Sequence, residues 1–134
     1  MKDTLVDSSV LFDILLKDKV WFEWSATALE SVAEESALIV NPIIFAELSA
    51  SFLKLEDLEK VLPLDLYKRE PLPYKAAFLA GRAFVKYKRR GGSKTSPMPD
   101  FYIGAHAEVA SLRVLTRDPR RFRMYYPMVE LLTP

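Results

Sequence analysis

Four carboxylates hold most of the chemical potential of this chain: Asp7, Glu47, Asp100 and Asp118. Cysteine is absent and His106 is the single histidine, so disulfides, thiolate metal sites and multi-histidine clusters are excluded. Any metal would have to be a hard cation held by oxygen, which points to magnesium or manganese. Three of the acids have an ordinary reading when taken alone. Asp7 could cap a helix, Asp100 follows Pro99 where an acid favours the helix dipole, and Asp118-Pro119 is a common cap-and-turn pair. Glu47 does not fit that treatment. It lies mid-helix in Pro42-Ile43-Ile44-Phe45-Ala46-Glu47-Leu48 and shares a face with Ile43, Ile44 and Ala50. A buried carboxylate needs a partner, and the acidic half of the chain offers few cations, so a bound metal is the alternative. If the four acids converge, repulsion raises some of their pKa values. A divalent ion removes that cost, and it supplies an activated water and charge stabilisation on a phosphodiester.

Convergence requires particular elements. Leu5-Val6 is a short apolar run ending at Asp7, and Val10 to Leu16 then recurs at helical spacing, with Asp7, Ser8 or Ser9 available as N-cap. The pattern predicts a helix over Trp21–Glu35, a buried strand at Ala37–Val40, a helix from Pro42 to about Leu53 and a short helix over Leu55–Val61. Leu62-Pro63-Leu64 reads as a break or a short strand. A long helix from Tyr74 to about Lys88 leads to the flexible loop Gly91–Pro97, and Pro99 opens a helix running to about Leu112. Val114–Thr116 and Val129–Leu132 complete the strands. Short apolar strands alternating with helices predict one α/β domain over residues 1–134 with a mainly parallel sheet. Ligands of such sheets bind at the carboxyl ends of the strands, where Asp7 and Asp118 fall.

Half of the 134 residues are apolar and the net charge is +1, but the charge is divided. Residues 1–70 hold 7 basic and 14 acidic side chains, and residues 71–134 hold 12 and 4. Lys88, Arg89, Arg90 and Lys94 flank the glycine loop, and Arg113, Arg117, Arg120, Arg121 and Arg123 form a second basic cluster. Such stretches suit a polyanion, although a solvated helix face balanced by the acidic half is the plainer alternative. No apolar run approaches the roughly 20 residues that span a bilayer. The start Met1-Lys2-Asp3-Thr4 carries no secretory signal, so a cytoplasmic protein is expected.

Four segments resemble the PIN-domain nucleases, and within them the VapC-like toxins. They are Leu5-Val6-Asp7-Ser8-Ser9, the helical Ala46-Glu47-Leu48, Pro99-Asp100-Phe101-Tyr102-Ile103-Gly104-Ala105-His106-Ala107, and Leu115-Thr116-Arg117-Asp118-Pro119. The resemblance covers nearly the whole chain and implies a PIN-like α/β/α sandwich with a mainly parallel central sheet. It also implies one or two magnesium or manganese ions, endonucleolytic cleavage of RNA, a homodimer and a complex with a small antitoxin protein. Asp7, Glu47, Asp100 and Asp118 take the family's acidic positions, and Ser9 and Thr116 its polar support positions. Family members often carry further acids near the fourth motif, where this chain has Arg120 and Arg121. With the fold so assigned, Lys88, Arg89, Arg90, Lys94 and Arg117 are candidates to hold the RNA backbone. The antitoxin is expected to lay a segment along the Pro42–Leu53 helix and to insert an arginine or lysine among the acids.

His106 lies about 120° around its helix from Asp100, so packing rather than catalysis is expected of it. Gly104 in a helix points to close packing. Asp13 reads as solvated. Trp21, Phe22, Trp24 and the stretch Phe122–Tyr126 offer more apolar surface than one small core needs, which favours a two-fold dimer. Two rival readings are a receiver-like signalling domain and a non-catalytic RNA-binding module. The first wants paired acids where Ser8 and Ser9 follow Asp7, and the second leaves Glu47 unexplained. A phosphatase of the Asp-x-Asp kind is excluded by Ser9.

Overall fold

Three apolar runs become the middle of a sheet: β1 (Thr4–Val6), β2 (Leu38–Val40) and β4 (Arg113–Leu115), buried along their whole length. Strands covered on both faces carry no alternation, which is why these segments read as unbroken runs. The edges are β3 (Tyr67–Arg69) and β5 (Leu131–Leu132). The order is β3-β2-β1-β4-β5, and every pairing is parallel. The computed structural model describes residues 2–134; Met1, the first residue of the stretch read as lacking a signal, lies outside them.

Seven helices flank this sheet among the described residues: α1 (Ser8–Leu15), α2 (Phe22–Glu35), α3 (Pro42–Ser49), α4 (Leu55–Val61), α5 (Tyr74–Arg89), α6 (Pro99–Ala110) and α7 (Arg120–Tyr125). The expected α/β architecture with a parallel sheet is what forms. Local chemistry starts the two helices that carry acids. Asn41 caps α3, its Oδ1 accepting from the Ile44 amide at 2.9 Å, and Pro42 takes the first helical position. Pro99 opens α6, which ends at Ser111 in a left-handed turn (φ 55).

The strand order fixes where a ligand can bind. The chain builds outward from β1 through β2 to β3, then crosses to the other side of β1 for β4 and β5. That reversal leaves a crevice at the carboxyl ends of β1 and β4. The register pairs Val6 with Leu115, so Asp7 and Thr116 stand side by side one residue beyond it.

Several boundaries differ from the sequence reading. Leu62–Leu64 is a break with Leu62 buried, and the strand comes later, at Tyr67–Arg69. Its Lys68 and Arg69 are exposed, so no apolar run announces it; pairing with β2 makes it a strand. α3 stops at Ser49 rather than near Leu53. Ser49 Oγ donates back to the Phe45 carbonyl at 2.7 Å, and the chain turns there. α7 lies in what read only as a basic and aromatic stretch. Its Phe122 and the following Tyr126 are buried in this chain's own core, so that stretch offers less free apolar surface than expected.

The packing roles of His106 and Gly104 hold. His106 is buried, and the Asn41 amide donates to its Nδ1 at 3.0 Å, with burial holding its pKa below the usual range. A Cβ on Gly104 would enter the ring of Tyr126, whose hydroxyl donates to the Phe101 carbonyl at 2.7 Å. Gly104→Ala is therefore expected to destabilise the fold by about 1–3 kcal/mol despite alanine's better helix propensity. A urea midpoint that does not fall would show that the ring can move aside.

Candidate active site

The crevice at the ends of β1 and β4 collects the acids. Asp7, at the end of β1, is 5% exposed. Its Oδ2 accepts from Thr116 Oγ1 at 2.7 Å and from Ser9 Oγ at 3.0 Å. Both hydroxyls also accept. The Arg117 amide donates to Ser9 Oγ at 3.2 Å, and the Asp118 amide donates to Thr116 Oγ1 at 3.1 Å. Ser9 and Thr116 thus tie the loop after β4 to the carboxylate after β1. Asp7 occupies the N-cap position of α1 but makes no side-chain cap bond, so its carboxylate is free for other work.

Glu47 comes from α3 and is half-buried, with Oε1 accepting from Ser8 Oγ at 2.9 Å. Asp100 stands in the first turn of α6. Burial, opposed by the Thr116 bond and assisted by the charge of Asp100, pushes Asp7 up to about 6. Burial, against the Ser8 bond and with the charges of Asp7 and Asp100, pushes Glu47 up to about 7. Burial also raises Asp100, against the pull of Arg121 and with a push from Asp118. Three carboxylates from three separate elements therefore feel one another, which sequence spacing alone could only suggest.

Asp118 stands at the rim, its side chain 57% exposed and 3.7 Å from Arg120 Nε. Asp100 Oδ2 lies 3.5 Å from Arg121 Nη1. A cavity of about 610 Å³ opens between Glu47, Asp100, Arg121 and the loop from Lys94 to Pro99. A second, of about 270 Å³, lies between Tyr87, Asp100, Asp118, Arg121 and Tyr125.

A raised carboxylate opposes folding wherever it must be charged. For Asp7 and Glu47 that cost is absent below about pH 4, grows as pH rises through 6 to 7, and is complete above. For Asp7, moved from 3.8 to about 6, it amounts to about 3 kcal/mol. Divalent cations should therefore raise the melting temperature more at pH 8 than at pH 5. An equal rise at both would remove these acids from the cation site.

Two sequence expectations are corrected here. Asp13 is not solvated: it is 1% exposed and accepts from Ser25 Oγ at 2.7 Å. Arg117, expected to hold RNA, is spent on that residue. Its Nε and Nη2 donate to the two Asp13 oxygens at 2.8 and 2.9 Å, and its guanidinium lies 5.7 Å from the Trp21 ring centre. No local sequence signal separates either residue from a solvated charge, because they stand 104 positions apart. Ser8 was likewise passed over as a contact of Glu47. The glycine loop is also less free than its composition implies: the Tyr87 hydroxyl accepts from the Ser93 and Lys94 amides, both at 3.1 Å.

Among the described residues no three histidine, aspartate or glutamate side chains come together closely enough to hold a metal ion by themselves. The donor set nevertheless fits magnesium or manganese, which keep several waters and need only one or two carboxylates with substrate phosphate completing the shell. Asp7, which feels the charge of Asp100, and Asp100 would hold it, with Glu47 feeling the charge of both and Asp118 acting on Asp100.

A family model described as PIN domain matches residues 4–126. No curated protein matches the chain. Among solved structures, VapBC2 from Rickettsia felis, bound to a fragment of its promoter DNA, is similar with a TM-score of 0.72 at 18% identity, covering 98% of each chain. FitAcB from Neisseria gonorrhoeae gives 0.70 at 23% identity over 96% of each chain. A toxin-antitoxin complex from Klebsiella pneumoniae gives 0.71 at 20% identity over 98% of each.

Proposed function

The chain belongs to the PIN-domain family, and from that premise we propose that it is a magnesium- or manganese-dependent endoribonuclease, the toxin of a toxin–antitoxin pair, acting as a single domain in the cytoplasm. The observation that carries this reading is the placement of Asp7 after β1, Glu47 on α3 and Asp100 on α6 at the switch point of the sheet, with Glu47 and Asp100 lining one cavity and burial raising all three acids. A receiver-like domain wants paired acids where Ser8 and Ser9 follow Asp7, and a purely RNA-binding domain leaves Glu47 and Asp100 on one cavity wall unexplained.

Asp7 and Asp100 would hold a divalent ion, which when bound would supply charge stabilisation on the phosphodiester and a more acidic water. Ser9 and Thr116 orient Asp7 through Oδ2. Glu47, a carboxylate on the same cavity wall as Asp100, is suited to take or return a proton at the attacking water. Asp118, exposed and paired with Arg120, is suited to act through water at the rim.

Lys94 lines the larger cavity, Lys88 Nζ donates to the Lys94 carbonyl at 3.2 Å, and Arg90 lies 5.4 Å from the Tyr125 ring centre. With Arg89 these residues are the RNA-backbone contacts of this reading, and Arg117 is not among them. Neutralising all four should lower the slope of log K against log salt by roughly one unit per lost phosphate contact. An unchanged slope would put the RNA elsewhere.

The partner readings have separate support. An apolar groove of about 480 Å³ runs beside α3, lined by Val40, Pro42, Phe45, Ala46, Ser49 and Arg69, and suits an antitoxin segment. Glu47 lies about 140° around α3 from the middle of that groove, so a segment seated there has to wrap the helix to place a cation among the acids. Tyr74 and Phe78, one turn apart on α5, are 95% and 67% exposed and favour a homodimer.

The direct test is cleavage of single-stranded RNA by purified protein. Activity should require magnesium or manganese, stop with a chelator and return on adding excess ion. Cleavage that persists in chelator would refute the metal-dependent reading.

A further inference from the structure

We propose that Arg121 is a two-position cation: it neutralises Asp100 in the metal-free protein, and once Asp100 engages a divalent ion it swings into the adjoining cavities to grip a phosphate of the bound strand. The proposal rests on the metal-dependent reading above and assigns a residue that reading does not use.

The geometry supports both positions. In the first, Arg121 Nη1 lies 3.5 Å from Asp100 Oδ2, with the side chain 46% exposed. This is one long contact, unlike the two short bonds that Arg117 makes to Asp13. A partly exposed, monodentate pair is weak and easily released. A guanidinium and a metal dication cannot share one carboxylate without repulsion, so occupation of Asp100 drives the side chain away.

The second position follows from what surrounds it. Arg121 lines both cavities that flank Asp100, the larger one with Glu47 and Lys94, the smaller with Tyr87 and Tyr125. Its backbone is fixed, because the adjacent Phe122 is 1% exposed and Tyr126 is bonded to the Phe101 carbonyl. Only the side chain is free to move, and its reach covers both cavities. A planar guanidinium matches a phosphodiester with two parallel hydrogen bonds, which lysine cannot do.

The experiment measures two affinities that should move in opposite directions. Magnesium binding is read by calorimetry on RNA-free protein. Strand binding is read by fluorescence anisotropy on a labelled oligoribonucleotide at saturating magnesium, with every variant carried in a Glu47→Gln background that removes the proton carrier of the proposed cleavage, and with the strand checked for integrity after each titration. Arg121→Ala should bind magnesium about 5- to 10-fold tighter and the oligonucleotide about 5- to 10-fold weaker, with the salt slope reduced by roughly one unit. Arg121→Lys should stay near wild type for magnesium but bind the strand more weakly. Arg123→Ala, exposed on the same helix, should leave magnesium affinity unchanged. If both affinities fall together, or neither moves, Arg121 is only a surface ion pair and the proposal fails. If wild type binds magnesium, and Asp100→Asn abolishes that binding while Arg121→Ala equals wild type, the proposal fails and the metal reading stands. If wild type itself shows no magnesium binding, both fall.

Discussion

Asp7→Asn should reduce RNA cleavage by about a thousandfold, the consequence of losing roughly 4 kcal/mol of transition-state stabilisation, while the metal-free protein becomes no less stable. The side chain sits in a place that disfavours its own charge: it is 5% exposed and its pKa is pushed up to about 6. Asparagine keeps an oxygen that can accept from Thr116 and Ser9 at the positions now occupied by Oδ2. It removes a buried negative charge and its repulsion with Asp100 and Glu47. Activity and stability should therefore separate, and magnesium should lose most of its stabilising effect on the melting temperature. Rates on a labelled RNA, with melting curves with and without magnesium, measure both. A variant that cuts like wild type would show that Asp7 is not a catalytic residue. One that unfolds would show that its charge is structural.

The largest stability effect is expected away from the acids. Asp13→Ala should cost about 2–4 kcal/mol, because the charge-assisted bonds of a buried carboxylate are lost while Arg117, 31% exposed at its side chain, regains water, and lower the melting temperature by about 10 °C. Arg117 would lose both of its short bonds, and Ser25 its acceptor. The damage should also reach the site. Arg117's amide donates to Ser9 Oγ, and Ser9 donates to Asp7, so a loosened loop misplaces the hydroxyl that orients the carboxylate. Chemical denaturation gives the first effect and magnesium affinity in the surviving folded fraction gives the second. Replacing both partners together, as in Asp13→Leu/Arg117→Leu, should recover part of the stability, because no charge is left unpaired. A double variant worse than either single would contradict that account.

Which helices carry Glu47 and Asp100 was legible in the chain itself. Proline and asparagine mark the starts of α3 and α6 by local rules, and those rules place Glu47 and Asp100 correctly. The parallel sheet was legible because doubly covered strands must be apolar throughout. Glu47 stood out because a carboxylate on an apolar face needs a reason.

The partners of these groups were settled only by the fold. β3 is a strand because β2 pairs with it, not because of its own exposed Lys68 and Arg69. Asp13 and Arg117 stand 104 positions apart, as bound as any pair in the chain, and nothing local distinguishes either from a solvated charge. The same holds for Arg121, which read as part of a basic run until α7 turned it toward Asp100. Amino-acid type and short-range spacing specify which residues can do chemistry, because capping, helical period and apolar patterning act within a few positions. Which charge meets which is decided by strand order and helix packing, because electrostatic pairing depends on distance in space, and distance in space is set by contacts far apart in sequence.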